Sequence, residues 1–312
     1  MPRVRLGTSE LEVSRLVLGG NVFGWTADEE ASYAVLDAYA AAGGNAIDVA
    51  DAYPYWVPGC AGGESEEVLG RWMVARGNRS DVVVCTKVGK FPGNHGLSRA
   101  QIMAGIDGSL QRLQTDYVDL YYCHADDHET PLEETLRALG ELVAAGKVRA
   151  IAASNYSAER LADALRIADD IGLPRFCALQ PHYSLVQRDE FEGAVQDLCE
   201  REGLACLPYW PLAAGFLTGK YAAATGASAR SESVAQFQTP RNEAILDVLR
   251  VVAGRHGVEP ATVALAWLLT RPTVVAQIAS ASRVEQLPAL VASTTLELTP
   301  EDLADLDAVS RP

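Results

Sequence analysis

Eight short apolar runs, each followed by a stretch of helical periodicity, constrain this chain more than any other feature. The runs fall at residues 16–18, 46–48, 82–86, 117–122, 148–153, 177–180, 204–207 and 274–278. They are short and rich in aliphatic or β-branched residues, as strands are. Helical patterns lie between them, for example at 29–42, 99–113, 132–145 and 158–169, with stops near Gly43, Gly146 and Gly172. Strands alternating with helices in this way predict an α/β fold, a (β/α)8 barrel. Residues 4–6 and 12–13 flank Gly7-Thr8-Ser9 and predict an N-terminal β-hairpin ahead of the barrel. No linker interrupts the pattern, and barrels of 312 residues fold as one domain, so the expected unit is 1–312.

Composition narrows the function classes. A formal charge of −15 argues against general nucleic-acid binding, which needs a basic face to displace counterions from phosphates. Cys60, Cys85, Cys123, Cys177, Cys199 and Cys206 are scattered without a Cys-x-x-Cys pair and read as free, mostly buried thiols. Met1-Pro2-Arg3-Val4-Arg5 leads into polar residues, and no apolar run is long enough to span a bilayer. The expectation is a cytoplasmic protein with no membrane partner.

A barrel gathers its reactive groups at the C-terminal ends of its strands. Asp48, Lys87, His124, Ser154, Asn155 and Gln180 all stand there. Tyr53 follows Asp48 by five residues. A phenol has an ordinary pKa near ~10, which a neighbouring ammonium lowers. Lys87 would supply that charge, Asp48 would hold Lys87, and His124 would orient a substrate oxygen and share proton delivery. Any one of these residues alone could be a cap, a packing group or a solvated loop residue. Asp126, Asp127 and His128 after His124 raise a metal site, but their spacing lacks a familiar ligand pattern. No metal is expected.

No Gly-x-Gly-x-x-Gly follows any strand, so a Rossmann dinucleotide site is unsupported. The segment from Gly215 to Gly219-Lys220-Tyr221 lacks one spacer residue and the Ser or Thr of a P-loop.

The set Asp48, Tyr53, Lys87 and His124, in Ile47-Asp48-Val49-Ala50-Asp51-Ala52-Tyr53, Cys85-Thr86-Lys87 and Tyr122-Cys123-His124, resembles the catalytic tetrad of aldo-keto reductases. The likeness extends to Ser65-Glu66-Glu67-Val68-Leu69-Gly70, Ala153-Ser154-Asn155-Tyr156, Tyr209-Trp210-Pro211-Leu212 and Leu217-Thr218-Gly219-Lys220-Tyr221. The chain is similar to a bacterial branch, akin to potassium-channel beta subunits, that carries a long insertion; here it is residues 220–239. This resemblance implies NADP as cofactor, with NADPH preferred over NADH, and Tyr53 as proton donor in the interconversion of a carbonyl and an alcohol.

It also implies the cofactor contacts. Ser154, Asn155 and Gln180 would hold the nicotinamide amide, Tyr209 would stack on its ring, and Gly20, Asp48, Trp210, Pro211 and Leu212 would border it. Lys220 and Arg230 match a basic pair over the pyrophosphate. Ser280, Ser282, Arg283 and Gln286 match the segment that grips the adenosine phosphate at a helix N-terminus. Arg283 favours NADP because a guanidinium can pair with the extra phosphate. The chain departs from the family pattern at Ala289-Leu290, where Glu-Asn is usual, at Ser280, where Gly is usual, and at Trp210, where a small Ser is common.

Phe23, Trp25, Tyr55, Trp56, His124 and His182 are expected to line the substrate pocket, which would suit a sugar ring or a flat carbonyl compound. Three alternatives stay open: a metal-dependent isomerase or hydrolase, a sugar-nucleotide intermediate reductase, and a slow-turnover NADPH-sensing regulatory subunit.

Overall fold

Period-two alternation decides which side chains each strand turns inward. The computed structural model describes residues 1–220 and 231–311. An antiparallel hairpin, β1 (Arg3–Arg5) with β2 (Glu12–Ser14), comes first. Eight parallel strands follow: β3 (Leu16–Gly19), β4 (Ala46–Asp48), β5 (Val83–Val88), β6 (Val118–Cys123), β7 (Val148–Ser154), β8 (Phe176–Gln180), β9 (Ala205–Cys206) and β10 (Gln277–Ala279). Their order is β10-β3-β4-β5-β6-β7-β8-β9. Between β9 and β10, Cys206 N donates to Thr273 O at 2.8 Å and Ile278 N to Pro208 O at 3.1 Å, which closes the ring. The fold is the (β/α)8 barrel that the alternation predicts, with the hairpin ahead of it.

The helices are α1 (Glu29–Ala41), α2 (Glu64–Arg76), α3 (Arg99–Leu113), α4 (Leu132–Ala144), α5 (Ala158–Ile171), α6 (Ala194–Glu202), α7 (Ser231–Ala235), α8 (Pro240–His256), α9 (Pro260–Leu268), α10 (Leu287–Ala292) and α11 (Pro300–Ser310). Ser98 and Ser157 cap α3 and α5 by accepting from the Gln101 and Arg160 amides. Gly172 ends α5 at φ 67°, a left-handed conformation that glycine adopts without steric cost. No helix among the described residues is long and apolar enough to cross a membrane.

Two apolar layers result. Val84, Tyr121 and Ile151 point outward and pack with helix residues such as Leu36, Leu69 and Leu139. Ala46, Cys85, Leu120, Ala152 and Ala178 point inward, and these mostly small side chains fill a narrow barrel. Leu6, Leu11 and Val13 of the hairpin region join this inner layer and plug its N-terminal end. A Cβ on Gly7, at φ +55°, would lie 2.1 Å from the Cys177 carbonyl oxygen. The turn can therefore close on the barrel only as glycine.

A polar cluster sits behind the loop that carries Tyr53. Glu66 is fully buried and accepts from Thr86 Oγ1 at 2.5 Å and Arg112 Nε at 2.7 Å. Asp51 is buried beside it, and neither carboxylate oxygen has a hydrogen-bond partner among the described residues. Burial, and then the charge of Glu66, pushes the Asp51 carboxyl up to about 8. The amides of Gly63 and Ser65 donate to Tyr53 O at 3.0 and 3.3 Å, tying this loop to the start of α2.

Two outcomes follow for stability. Gly7→Ala combines left-handed strain with a backbone clash and is expected to cost about 2–4 kcal/mol. Gly146→Ala, also at positive φ but with nothing within 4 Å of the new Cβ, should cost only about 1–2 kcal/mol. Urea-unfolding midpoints check the pair, and equal losses would remove the plug argument. Asp51 holds its proton to about pH 8 when folded, whereas an unfolded Asp loses it near ~4. The folded state therefore binds the extra proton between those values, and stability falls as pH rises through that window. Asp51→Asn should gain on the wild type between about pH 5 and about pH 8 in thermal melts. A difference that is constant with pH would show that Asp51 does not titrate there.

Candidate active site

Asp48 and Lys87 point inward from the adjacent strands β4 and β5. Lys87 is 0% exposed, and its Nζ donates to Asp48 Oδ2 at 2.6 Å and to Val49 O at 2.7 Å. Gln180, on β8 across the barrel, donates from Nε2 to Asp48 Oδ1 at 2.9 Å. Burial works against the Lys87 ammonium, but Asp48 and then Tyr53 outweigh it, and its pKa is raised. The lysine stays charged at neutral pH.

Tyr53 is half-buried, with Lys87 Nζ 4.8 Å from its ring centroid. Burial raises the phenol above its ordinary value, and the Lys87 charge opposes this without overcoming it. This corrects the expectation of a lowered value: desolvation of the phenolate wins, and Tyr53 holds its proton at neutral pH. His124 meets the Tyr53 ring edge-on at 5.7 Å between centroids. Burial, then Lys87 and Lys90, hold its pKa well below 6.5, so its imidazole is neutral, and Nδ1 has no partner among the described residues.

On the far wall, Ser154 Oγ donates to Gln180 O at 3.0 Å, and Asn155 Nδ2 donates to His124 O at 2.9 Å. Tyr209 OH donates to Asn155 Oδ1 at 2.9 Å. Asn155 sits at φ 56°, a conformation that asparagine tolerates better than most residues.

A cavity of about 390 Å³ opens over Tyr53 and His124, bordered by Asn21, Trp25, Trp56, Lys90, Asn155 and Tyr209. A groove of about 420 Å³ adjoins it, lined by Pro211, Leu212, Lys220, Ser280, Ser282 and Gln286 among others. Asn21, Trp210 and Ala214 line both. Trp210, Ala213 and Ala214 near this junction have φ of 51°, 49° and 57°. Each costs roughly 1–2 kcal/mol in a non-glycine residue, and strain of this kind collects at ligand sites.

Other expected site residues lie elsewhere. Phe23 is fully buried in the outer apolar layer, and Gly20 is buried where a Cβ would strike Val49 Cγ1 at 2.7 Å; neither lines a cavity. Tyr55 is exposed and outside both cavities, and His182 stacks behind Tyr209 at 5.1 Å. Arg283 is exposed beside the groove and does not line it. Arg230 lies outside the described residues. Asp126 pairs with Arg160 at 2.7 Å, and Asp127 accepts from Leu97 N and Thr130 Oγ1, so both carboxylates are engaged in holding loops.

Asn21 and Lys90 line the cavity although sequence reasoning passed over both. Each follows the end of a barrel strand by two residues, a position that could have flagged them.

The family model described as Aldo/keto reductase family matches residues 15–311. A probable voltage-gated potassium channel subunit beta from Oryza sativa subsp. japonica is 36% identical over 97% of this chain and 95% of the relative. Protein tas of Escherichia coli (strain K12) is 34% identical over 98% and 96% of the two chains. Norsolorinic acid reductase stcV of Emericella nidulans is 34% identical over 98% of this chain and 80% of that protein. With the match running through every barrel strand, this chain belongs to the aldo/keto reductase family.

Proposed function

We propose that this chain is an NADPH-dependent oxidoreductase that interconverts a small-molecule carbonyl and its alcohol, with Tyr53 as the proton donor. The observation that carries the reading is the buried Asp48–Lys87 pair beneath a protonated Tyr53 and a neutral His124, at the base of an open cavity. NADPH, when bound, supplies a hydride to the carbonyl carbon. Tyr53 then gives its proton to the developing alkoxide, and Lys87 stabilises the phenolate left behind. His124, uncharged, orients the carbonyl oxygen without competing as an acid. Asp48 fixes the ammonium, and the floor below Tyr53 has no room for water around a fully buried Lys87.

The site fits the cofactor in outline. The cavity and the adjoining groove together offer an elongated channel that ends over the catalytic residues. Ser154, Asn155, Gln180 and Tyr209 would border the nicotinamide, Lys220 the pyrophosphate, and Ser280, Ser282 and Gln286 the adenosine end. Arg283 makes no ion pair among the described residues and would serve the 2′-phosphate from the rim. Glu259 and Glu285 also line the groove, so cations have less excess there than a phosphate site usually has. A second reading, a slow-turnover NADPH-sensing regulatory subunit, draws on the likeness to the potassium channel subunit beta.

Trp25, Trp56 and Trp210 line the channel, so quenching of tryptophan fluorescence should report nucleotide binding. Titration is expected to show binding of NADPH, tighter than of NADH; binding of neither would overturn the reading. Tyr53→Phe should lower kcat by at least about 10²-fold with NADPH affinity nearly unchanged, and retained turnover would remove Tyr53 from its role. A wild type that binds NADPH but turns over no aldehyde, ketone or sugar would favour the regulatory reading. Arg283→Ala should weaken NADPH much more than NADH; equal losses would place the guanidinium away from the phosphate.

A further inference from the structure

The cavity over Tyr53 contains a cation for which the proposed chemistry has no use. Lys90 lines it, is half-buried, and forms neither a hydrogen bond nor an ion pair among the described residues. None of the described residues lining this cavity is an Asp or Glu, in a chain with 41 acidic and 26 basic residues. Burial first, and then Lys87, lowers the Lys90 pKa, and no carboxylate offsets them.

Lys90 is held in place by its backbone. Gly89 adopts φ +114° and accepts from Gly96 N at 3.0 Å, folding the segment back on itself. Leu97 N donates to Asp127 Oδ2 at 2.8 Å, and Asn94 Nδ2 to Gln101 O at 2.7 Å. A half-buried ammonium with no partner among the described residues costs stability, and ligand pockets use such isolated polar groups to orient what they bind. In the same cavity, Trp56 meets Trp25 at 6.0 Å and Tyr53 at 5.4 Å, each edge-on, which gives it apolar walls suited to a flat ring.

We propose that Lys90 is an anion subsite, and that the substrate is an aromatic carbonyl compound carrying a compact anionic group such as a carboxylate. The proposal rests on the reductase reading for the fate of the carbonyl, but the subsite itself can be tested by binding alone. A lysine suits a single compact anion, since it acts as a point charge and not as a planar fork. Its charge would select among aldehydes and ketones of similar shape, because an uncharged analogue leaves the ammonium unpaired.

The probes are 3-formylbenzoate and 4-formylbenzoate against their methyl esters, titrated calorimetrically into the protein with and without NADP. In the wild type at least one acid is expected to bind about tenfold or more tighter than its ester, the size of one charge-assisted contact. Lys90→Met should erase that preference while ester binding stays within about twofold. Lys90→Arg should retain the preference, and Lys90→Glu should reverse it. If no acid outcompetes its ester, or if the preference survives in Lys90→Met, the anion subsite is overturned. NADPH oxidation with the same aldehydes is read separately. Its absence would count against the reductase reading alone, because the binding difference does not depend on turnover.

Discussion

A fully buried ammonium is the constraint around which the barrel mouth is arranged. Left alone, a charge the size of Lys87 would cost several kcal/mol after every relaxation the protein can make. Asp48 at 2.6 Å and the Val49 carbonyl at 2.7 Å accept from it, and Gln180 satisfies the second oxygen of Asp48. Three strands, β4, β5 and β8, must therefore hold their inward positions together for the ammonium to survive burial. The small side chains of the inner layer, Ala152 and Ala178 among them, leave room inside the barrel for Gln180 to reach Asp48.

Burial and the same charge together act on the protonation of its neighbours. Burial first, and then Lys87, holds His124 neutral, whereas at Tyr53 the charge only limits the rise that burial causes. The floor thus combines a fixed positive charge with two uncharged groups at the surface of the cavity. This arrangement suits delivery of a proton to an oxygen that gains negative charge, since the cation is already in place when the charge develops.

The barrel was legible because its signal is periodic and repeated. Asp48, Lys87, Ser154 and Gln180 stand where an inward-facing register runs out at the strand end, so their convergence followed from period two alone. The loops have no such register. Phe23, Trp25, Tyr55 and Trp56 look alike in the sequence, yet two line the cavity, one is sealed in the outer core and one faces solvent. Lys90 depends on the fold-back at Gly89, which no periodicity announces. The direction of the Tyr53 shift was misread for a related reason: the ammonium is visible in a sequence, whereas the burial that outweighs it is created only by packing.

Asp48 and Asp51 show how far three residues can separate identical side chains. Asp48 ends a strand on the inner face and meets an ammonium and an amide; Asp51 lies past the strand, beside Glu66, with neither oxygen partnered among the described residues. Burial with a like charge nearby keeps the Asp51 proton on to about pH 8. That proton matters to the site, because an ionised Asp51 would raise the Tyr53 phenol further. A neutral Asp51 leaves Asp48 as the carboxylate that answers Lys87, and so keeps the tyrosine closer to the range in which it can give up a proton and recover it.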